Sequence, residues 1–424
     1  MLGPASVESA AGSSLHGTAS RAEIPDEKGF AVSEKTADRR KLLLFVIGAS
    51  FLIAFGHQSW QAMFNNFAVE DLGAGPQAIG WIQSVRELPG LLAFAVAVIA
   101  LAVTELRVMA LSVMLLGGGL ALMSQVHGIA SLVLATLVMS VGFHFFGPCS
   151  NSVVLMSTPA GDTPQLLGKL RSLGAVAAVG ATGLVYALAG RIGYRPLLAG
   201  VGLAIAACGI VLLPFGSRKH LFPTRRKIRL RRRYARFYAL AFLMGSRRHI
   251  FTTFAVFLLV SRYGISVQVT ATLFLVNALI NTVAYRWVGR LVGRIGERAV
   301  LMFAFAGLIP VFSGYAYIEW LPALYLLFVV DNVLFGFNLA LTTYLQKIAI
   351  SPEELTSNLS LQETINHISA VVVPVLGGTI WALFGSRAPF LAGVGIAVVS
   401  LALAWRIRIP SDRAIAGEAP GPNS

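Results

Sequence analysis

Residues 237–260 read FYALAFLMGSRRHIFTTFAVFLLV, with apolar residues at both ends and two arginines and a histidine in the middle. A helix of about 20 apolar residues crosses the ~30 Å hydrocarbon core of a membrane. A charged side chain near the centre of such a helix costs about 2.5–3.5 kcal/mol on insertion scales. The stretch therefore predicts a membrane-spanning helix whose Arg247 and Arg248 face a protein interior or a water-filled cavity.

The whole chain has the composition of a membrane protein with many spans. Of its 424 residues, 56% are hydrophobic and only 12% are charged, whereas soluble domains have about 25% charged residues. The mean hydropathy is +0.73. We therefore predict an all-α integral membrane protein with twelve transmembrane helices, at 42–66, 77–103, 108–126, 129–151, 170–190, 196–214, 237–260, 267–287, 299–317, 321–346, 362–384 and 388–408.

The formal charge of +15 is distributed as expected for a membrane protein with both termini in the cytoplasm. In that orientation, 27 of the 34 lysines and arginines lie on the cytoplasmic side, as the positive-inside rule requires. The run RRKIRLRRRYAR at 225–236 is the densest cluster. Such a run could bind nucleic acid, but anionic lipid headgroups explain it more simply. We expect lipids as its partners, and no nucleic acid.

These features predict five segments. They are a disordered cytoplasmic N-terminal tail (1–38), a six-helix bundle (39–215), a basic cytoplasmic linker (216–236), a second six-helix bundle (237–410) and a cytoplasmic C-terminal tail (411–424). The expected location is the bacterial cytoplasmic, or inner, membrane, with the protein as a monomer.

The two halves of the chain resemble each other in sequence. FNNFAV at 64–69 recurs as FTTFAV at 251–256, GLVYAL at 183–188 as GTIWAL at 378–383, and LAGVGLA at 198–204 as LAGVGIA at 391–397. Each half contains six predicted spans, and an even number of spans preserves orientation. The halves are therefore expected to be parallel repeats about an axis along the membrane normal.

A loop in the second half resembles the signature of a known family. GRLVGRIGERAVL at 289–301 resembles the cytoplasmic loop motif Gly-x-Leu-x-Asp-Arg-x-Gly-Arg-Arg of the major facilitator superfamily. The matching residues are Gly289, Leu291, Arg294, Gly296 and Arg298, while Gly293 stands where the motif has aspartate. The equivalent first-half loop, 101–111, retains little beyond Arg107. The resemblance implies two pseudo-symmetric six-helix bundles around a central cavity, with alternating access and this loop as a gating element.

Polar residues inside the predicted spans are the candidates for solute binding. Residues i and i+4 share a helical face, so His57, Gln61 and Asn65 form one stripe, and Arg248 and Thr252 form the equivalent stripe in the repeat. In the family, these first helices of each half line the cavity. The predicted substrate-binding residues are His57, Gln61, Asn65, Arg86, His144, Arg247, Arg248, Thr252 and Asn338.

Acids and histidines at membrane depth are the candidates for proton coupling. They are Glu87, Asp331, His249, Glu363 and His367. Because neighbours i and i+1 do not face each other on a helix, Arg86 and Glu87 are expected to have different partners. An alternative for Arg86, Glu87 and Asp331 is a set of structural ion pairs. Asn277 and Asn281 lie one turn apart in the eighth span, and such asparagines more often form hydrogen bonds between packed helices than bind ligands.

Permanent positive charge in a cavity attracts anions, since guanidinium groups suit carboxylate and phosphate. The sequence thus predicts a secondary active transporter of a small organic anion or zwitterion, driven by protons. One alternative is a carrier of metal ions or metal chelates, because four of the seven histidines lie within spans. Another is a transport-inactive receptor or assembly partner, which the degraded loop motifs favour. No enzyme activity, cofactor or bound metal is expected.

Overall fold

The computed structural model of the protein describes residues 27–93, 96, 99, 103–158, 162–216 and 231–407. These residues are almost entirely α-helical, and no β-strand occurs among them. The chain divides into two compact units, residues 1–44 and 45–424. The described part of the first unit, 27–44, is the beginning of the first helix. The second unit contains all the other helices and the cavities.

The helices follow the predicted spans closely. They are α1 (Glu27–Asn66), α2 (Pro76–Leu91), α3 (Glu105–Met123), α4 (Ile129–Ser157), α5 (Thr163–Ile192), α6 (Tyr194–Leu212), α7 (Ala235–Tyr263), α8 (Val267–Tyr317), α9 (Leu321–Gly336), α10 (Leu339–Ile348), α11 (Pro352–Phe384) and α12 (Ala388–Trp405). A π-helical turn, Phe67–Asp71, extends α1. Short 3₁₀ turns occupy Leu213–Gly216 and Arg232–Tyr234.

Ten helical stretches in the described part of the chain are long and apolar enough to cross a membrane, and Val267–Asn281 is a shorter apolar helix. The prediction of an all-α integral membrane protein is confirmed. The count of twelve spans stays a prediction, because the segment predicted at 77–103 is described continuously only to residue 93, with α2 ending at Leu91.

Two connections differ from the predicted spans. The spans predicted at 267–287 and 299–317 are both part of α8, whose helix is interrupted at Gly296 with φ 79° and ψ 162°. Only glycine adopts such a conformation readily, so Gly296 makes the turn between two helices. The span predicted at 321–346 is divided between α9 and α10, which are separated at residues 337–338.

The predicted terminal and linking segments lie largely outside the described residues. Residues 1–26, 217–230 and 408–424 are not described. Helix α1 begins at Glu27, within the segment assigned to the N-terminal tail. Residues 232–236 of the predicted linker form the 3₁₀ turn and the start of α7.

Helix contacts in the two halves support the predicted repeat. In the first half α3 packs against α4 and α6, and a Cβ placed on Gly117 would lie only 2.6 Å from the Gly202 carbonyl oxygen of α6. In the second half α8 packs against α9 and α12. There a Cβ on Gly393 of α12 would lie 3.0 Å from the Phe312 ring of α8. Helix α8 contains the second and the third predicted spans of its half. Counted by spans, the third of each half thus contacts the fourth and the sixth.

The two halves meet through α2 with α11 and through α5 with α8. Ser84 Oγ of α2 accepts a hydrogen bond of 3.1 Å from the Val375 backbone N–H of α11. At the end of α1, Asn66 donates to the Ile265 carbonyl oxygen at 2.8 Å and accepts from Thr270 Oγ1 at 3.0 Å. These contacts hold the halves together at the end of the molecule that carries the α1–α2 and α7–α8 connections, which we call the closed end.

Candidate functional site

A central cavity of about 330 Å³ lies between the two halves, lined by α1, α2, α4, α7, α8, α9 and α11. Of the residues predicted to bind substrate or to carry protons, all but three line it. The lining residues among them are His57, Gln61, Asn65, Arg86, Glu87, His144, Arg248, His249, Thr252, Glu363 and His367. The cavity thus collects polar groups from both halves of the repeat into one space.

The two helical stripes predicted from the repeat both reach this cavity. On α1, His57, Gln61 and Asn65 line it at intervals of four residues, and on α7 Arg248 and Thr252 do the same. The His57 ring stacks on the Phe143 ring of α4, with centroids 4.0 Å apart and 17° between the planes. Helical periodicity places these side chains on one face, and packing of the bundle turns that face inward.

Glu87 of α2 is the centre of the most closely connected group in the cavity. One carboxylate oxygen pairs with the Arg86 guanidinium. The other, Oε2, lies 3.1 Å from His367 Nδ1 of α11 and 3.5 Å from His144 Nε2 of α4. Since α2 and α11 belong to different halves, the bond between Glu87 and His367 links the halves inside the cavity.

The expectation that Arg86 and Glu87 have different partners is wrong. Helix geometry keeps short neighbouring side chains apart, whereas the long Arg86 side chain folds back along α2 to its neighbour. In this position the Arg86 guanidinium also lies over the Trp60 ring of α1, 5.0 Å from its centroid.

Gly90 allows the two imidazoles to approach α2. A Cβ at this position would overlap the His367 ring and would lie 3.0 Å from Cδ2 of His144. The two rings are edge to face, with centroids 5.2 Å apart. The absence of a side chain at Gly90 is therefore a condition for the group around Glu87.

Arg247 and Arg248, adjacent in α7, have different surroundings. Arg248 lines the central cavity, and its guanidinium lies 4.6 Å from the centroid of the Phe335 ring. Arg247 is only 1% exposed and does not line the cavity. Its Nη1 lies 3.2 Å from Oδ2 of Asp331, which is itself fully buried.

Three predicted residues thus lie away from the cavity: Arg247, Asp331 and Asn338. Arg247 and Asp331 form the buried ion pair that the sequence allowed as an alternative for Asp331. Asn338 immediately precedes α10, and its buried Oδ1 has no hydrogen-bond partner. These three residues take no part in the function proposed below.

The aromatic lining of the cavity was not predicted from the sequence. Trp60, Phe64, Phe143, Phe251, Phe274 and Phe328 all line it. Trp60 and Phe64 each precede a residue of the α1 stripe, so the helical pattern could have indicated them. The rings on α4, α8 and α9 carry no sequence signal that separates them from ordinary core residues. The cavity therefore offers apolar surface to an organic solute as well as charge.

Glu87, His144 and His367 also form a group that could hold a metal ion. One ligand atom from each lies within 4.8 Å of the others. Carboxylate and imidazole are ordinary ligands for zinc and related metals. However, the Arg86 guanidinium is bound to the same carboxylate and would repel a cation.

An ion pair joins the loop motif to the end of α10, with a buried carboxylate and an exposed lysine. Glu297, directly after the turn at Gly296, is 2% exposed, and its Oε1 lies 2.8 Å from Nζ of Lys347 at the end of α10. Arg298 lies over the Trp405 ring of α12, 5.7 Å from the centroid. Nothing lies within 4 Å of a Cβ built on Gly293, so the motif's usual aspartate would fit there.

A sequence model of the Major Facilitator Superfamily matches residues 43–350. The chain belongs to the major facilitator superfamily. Members of this family are membrane transporters, and membership therefore points to a transporter and not to an enzyme. No curated protein sequence matches the chain.

Solved structures of other superfamily members share the fold. The nucleoside transporter NupG superposes with a TM-score of 0.72 at 16% sequence identity, over 87% of this chain and 100% of NupG. A bacterial homologue of the human lysosomal transporter Spinster, inward-facing and unoccupied, gives a TM-score of 0.71 at 14% identity, over 91% of this chain and 99% of that one. At these identities the likeness shows the fold alone.

Proposed function

We propose that the protein is a proton-coupled secondary transporter that moves a small organic anion or zwitterion by alternating access. The observation that carries this proposal is the shared lining of one central cavity by Arg86 of the first half and Arg248 of the second. A solute held between the halves, in contact with both, can favour one arrangement of the halves over another. Such a difference in affinity is what drives alternating access.

The charge and the aromatic lining of the cavity favour an organic anion that has an apolar portion. Two guanidinium groups present permanent positive charge in a space of low dielectric, where they bind carboxylate or phosphate strongly. The rings of Trp60, Phe274 and Phe328 provide apolar contact for the remainder of the solute. Arg248 is the substrate anchor in this proposal, and Arg86 is shared between the substrate and Glu87.

The bond between Glu87 and His367 supports proton coupling. It joins α2 to α11 beside the arginines, so protonation of the Glu87 carboxylate would weaken a link between the halves. A neutral Glu87 would also release Arg86 towards an anionic substrate. Loading of the proton and of the anion would thus favour each other, which is the thermodynamic requirement for co-transport.

The remaining sequence predictions complete the proposal. We place the protein in the bacterial cytoplasmic membrane as a monomer, with both termini in the cytoplasm. The basic linker, 216–236, would then contact anionic lipid headgroups.

Uptake into proteoliposomes tests the proposal. Vesicles with an imposed pH gradient are offered a panel of radiolabelled organic anions and amino acids. We expect gradient-dependent accumulation of at least one of them, abolished by Arg248→Gln and unaffected by Arg191→Gln, a matched change at an exposed arginine. No accumulation of any solute, or equal accumulation by Arg248→Gln, would contradict the proposal.

The group of Glu87, His144 and His367 supports a second candidate, transport of a metal ion. Cobalt titration of the purified protein discriminates between the candidates, because tetrahedral Co²⁺ bound by these ligands absorbs visible light. A cobalt spectrum that is present in the wild-type protein and lost in His144→Ala and His367→Ala would favour the metal carrier. Spectra that are the same in both variants as in the wild-type protein would favour the anion carrier.

A further inference from the structure

A second cavity, of about 210 Å³, adjoins the central one between α1, α5, α8 and α9. Gln61, Phe274 and Asn332 line both cavities. Its polar lining consists of the carboxamides of Gln58, Gln61, Asn277, Asn281 and Asn332 and the hydroxyl of Thr182. Among the described residues around it, none carries a charge. We call this space the amide chamber.

The carboxamides of the chamber are only partly hydrogen-bonded to one another. Gln58 donates to Thr182 Oγ1 at 3.2 Å, and Asn281 donates to Asn332 Oδ1 at 2.7 Å. Asn277 is only 3% exposed, yet neither its side-chain nitrogen nor its oxygen has a partner, and Asn281 Oδ1 has none. Buried polar groups are normally hydrogen-bonded, so a molecule bound in the chamber can supply the partners that these atoms lack within the protein.

We propose that the amide chamber binds the neutral, hydroxyl-rich part of the transported anion, so that the substrate class is hydroxylated carboxylates such as sugar acids. This proposal rests on the proposed function, in which Arg248 and Arg86 hold the carboxylate in the central cavity.

The chemistry of the chamber favours hydroxyl groups over other occupants. A carboxamide offers a donor and an acceptor side by side, and neighbouring hydroxyls offer the same pair in return. An apolar chain would leave the Asn277 amide without partners, and a second charge would find no counter-charge among the lining residues. The Phe274 ring, shared by both cavities, provides a face for the carbon skeleton between its two ends.

Binding of two matched probes to the purified, full-length protein tests this inference. D-gluconate and hexanoate are both six-carbon monocarboxylates, and gluconate alone carries hydroxyls along its chain. Because hexanoate would leave buried amides unpaired, we expect gluconate to bind about tenfold more tightly or better in isothermal titration. Asn277→Leu should remove this preference by weakening gluconate alone, and Arg248→Gln should weaken both probes.

Thr182→Val, which is nearly isosteric, provides a second variant in case Asn277→Leu does not fold, and Gln125→Leu in an exposed connection is the control. Equal affinity of the wild-type protein for the two probes would overturn the chamber's role and leave the anion site standing. A gluconate preference that survives both Asn277→Leu and Thr182→Val would also overturn it. Failure of gluconate to bind would overturn the inference about hydroxylated carboxylates, and the uptake panel decides the proposed function separately.

Discussion

Arg247 and Arg248 show how one helical step separates a structural charge from one that faces a cavity. Successive residues of an α-helix point about 100° apart, so the side chains of two neighbours can enter different surroundings. Arg248 lines the cavity, whereas Arg247 turns into the second half and pairs with Asp331 of α9. The Arg247 guanidinium also lies 5.2 Å from the Phe335 ring centroid. This pair therefore holds α7 to α9, while Arg248 faces the central cavity.

Removal of either partner of the Arg247–Asp331 pair should destabilise the protein. A buried charge left alone costs about 3–5 kcal/mol, whereas replacement of both by apolar residues is nearly neutral. We expect Arg247→Ala and Asp331→Ala to lower the unfolding temperature in detergent, and Arg247→Met with Asp331→Leu to restore most of it. A single variant that unfolds at the wild-type temperature would show that the pair is not structural.

Gly90 offers a test of the group around Glu87. An alanine there would displace the His367 and His144 rings, although glycine-to-alanine in a helix otherwise stabilises it by about 0.5–1 kcal/mol. We expect Gly90→Ala to abolish gradient-driven uptake. The control is Gly118→Ala in α3, where a Cβ meets nothing within 4 Å. Normal uptake by Gly90→Ala would remove the imidazoles from the coupling proposal.

At the scale of elements, α2 and α11 connect the closed end to the cavity. A Cβ on Gly378 of α11 would lie 2.5 Å from the Pro76 carbonyl oxygen of α2, so the two backbones are in contact there. Further along the same pair of helices are the Ser84–Val375 bond and the Glu87–His367 bond. A change of charge at Glu87 therefore acts on the helix pair that also holds the closed end together.

The loop that interrupts α8 predicts opposite effects for two glycines three residues apart. Gly296 has φ 79°, a conformation that costs other residues about 1–3 kcal/mol, so Gly296→Ala should lower the unfolding temperature. Gly293 is helical with open space around its Cα, so Gly293→Ala should raise it slightly. Thermal unfolding of both variants checks this pair, and a shift of the same sign in both would refute the assigned turn.

For the whole molecule, the helical fold could be predicted because each span is long and apolar and because the two halves repeat. The repeat and the four-residue spacing also brought His57, Gln61, Asn65, Arg248 and Thr252 to one cavity. These predictions depend on local periodicity, which a sequence displays directly.

The remaining features depend on contacts between distant helices. The sequence does not show that Asp331 lies opposite Arg247, or that Glu87 meets His367 from the other half. It also gives no reason to place Asn277 in a chamber next to the central cavity, since an asparagine that bonds a neighbouring helix has the same local pattern. Such pairings are decided by how the two halves pack.

Proton flux measured together with solute exchange tests the central claim most directly. Proteoliposomes containing a trapped pH-sensitive dye are given the anion that binds best, without an imposed gradient. We predict a change in internal pH that depends on the anion and on wild-type protein, and that is absent in Arg248→Gln. In Glu87→Gln the pH change should be lost while exchange of labelled for unlabelled anion continues. An anion-dependent pH change of full size in either variant, or none in the wild-type protein, would contradict the account.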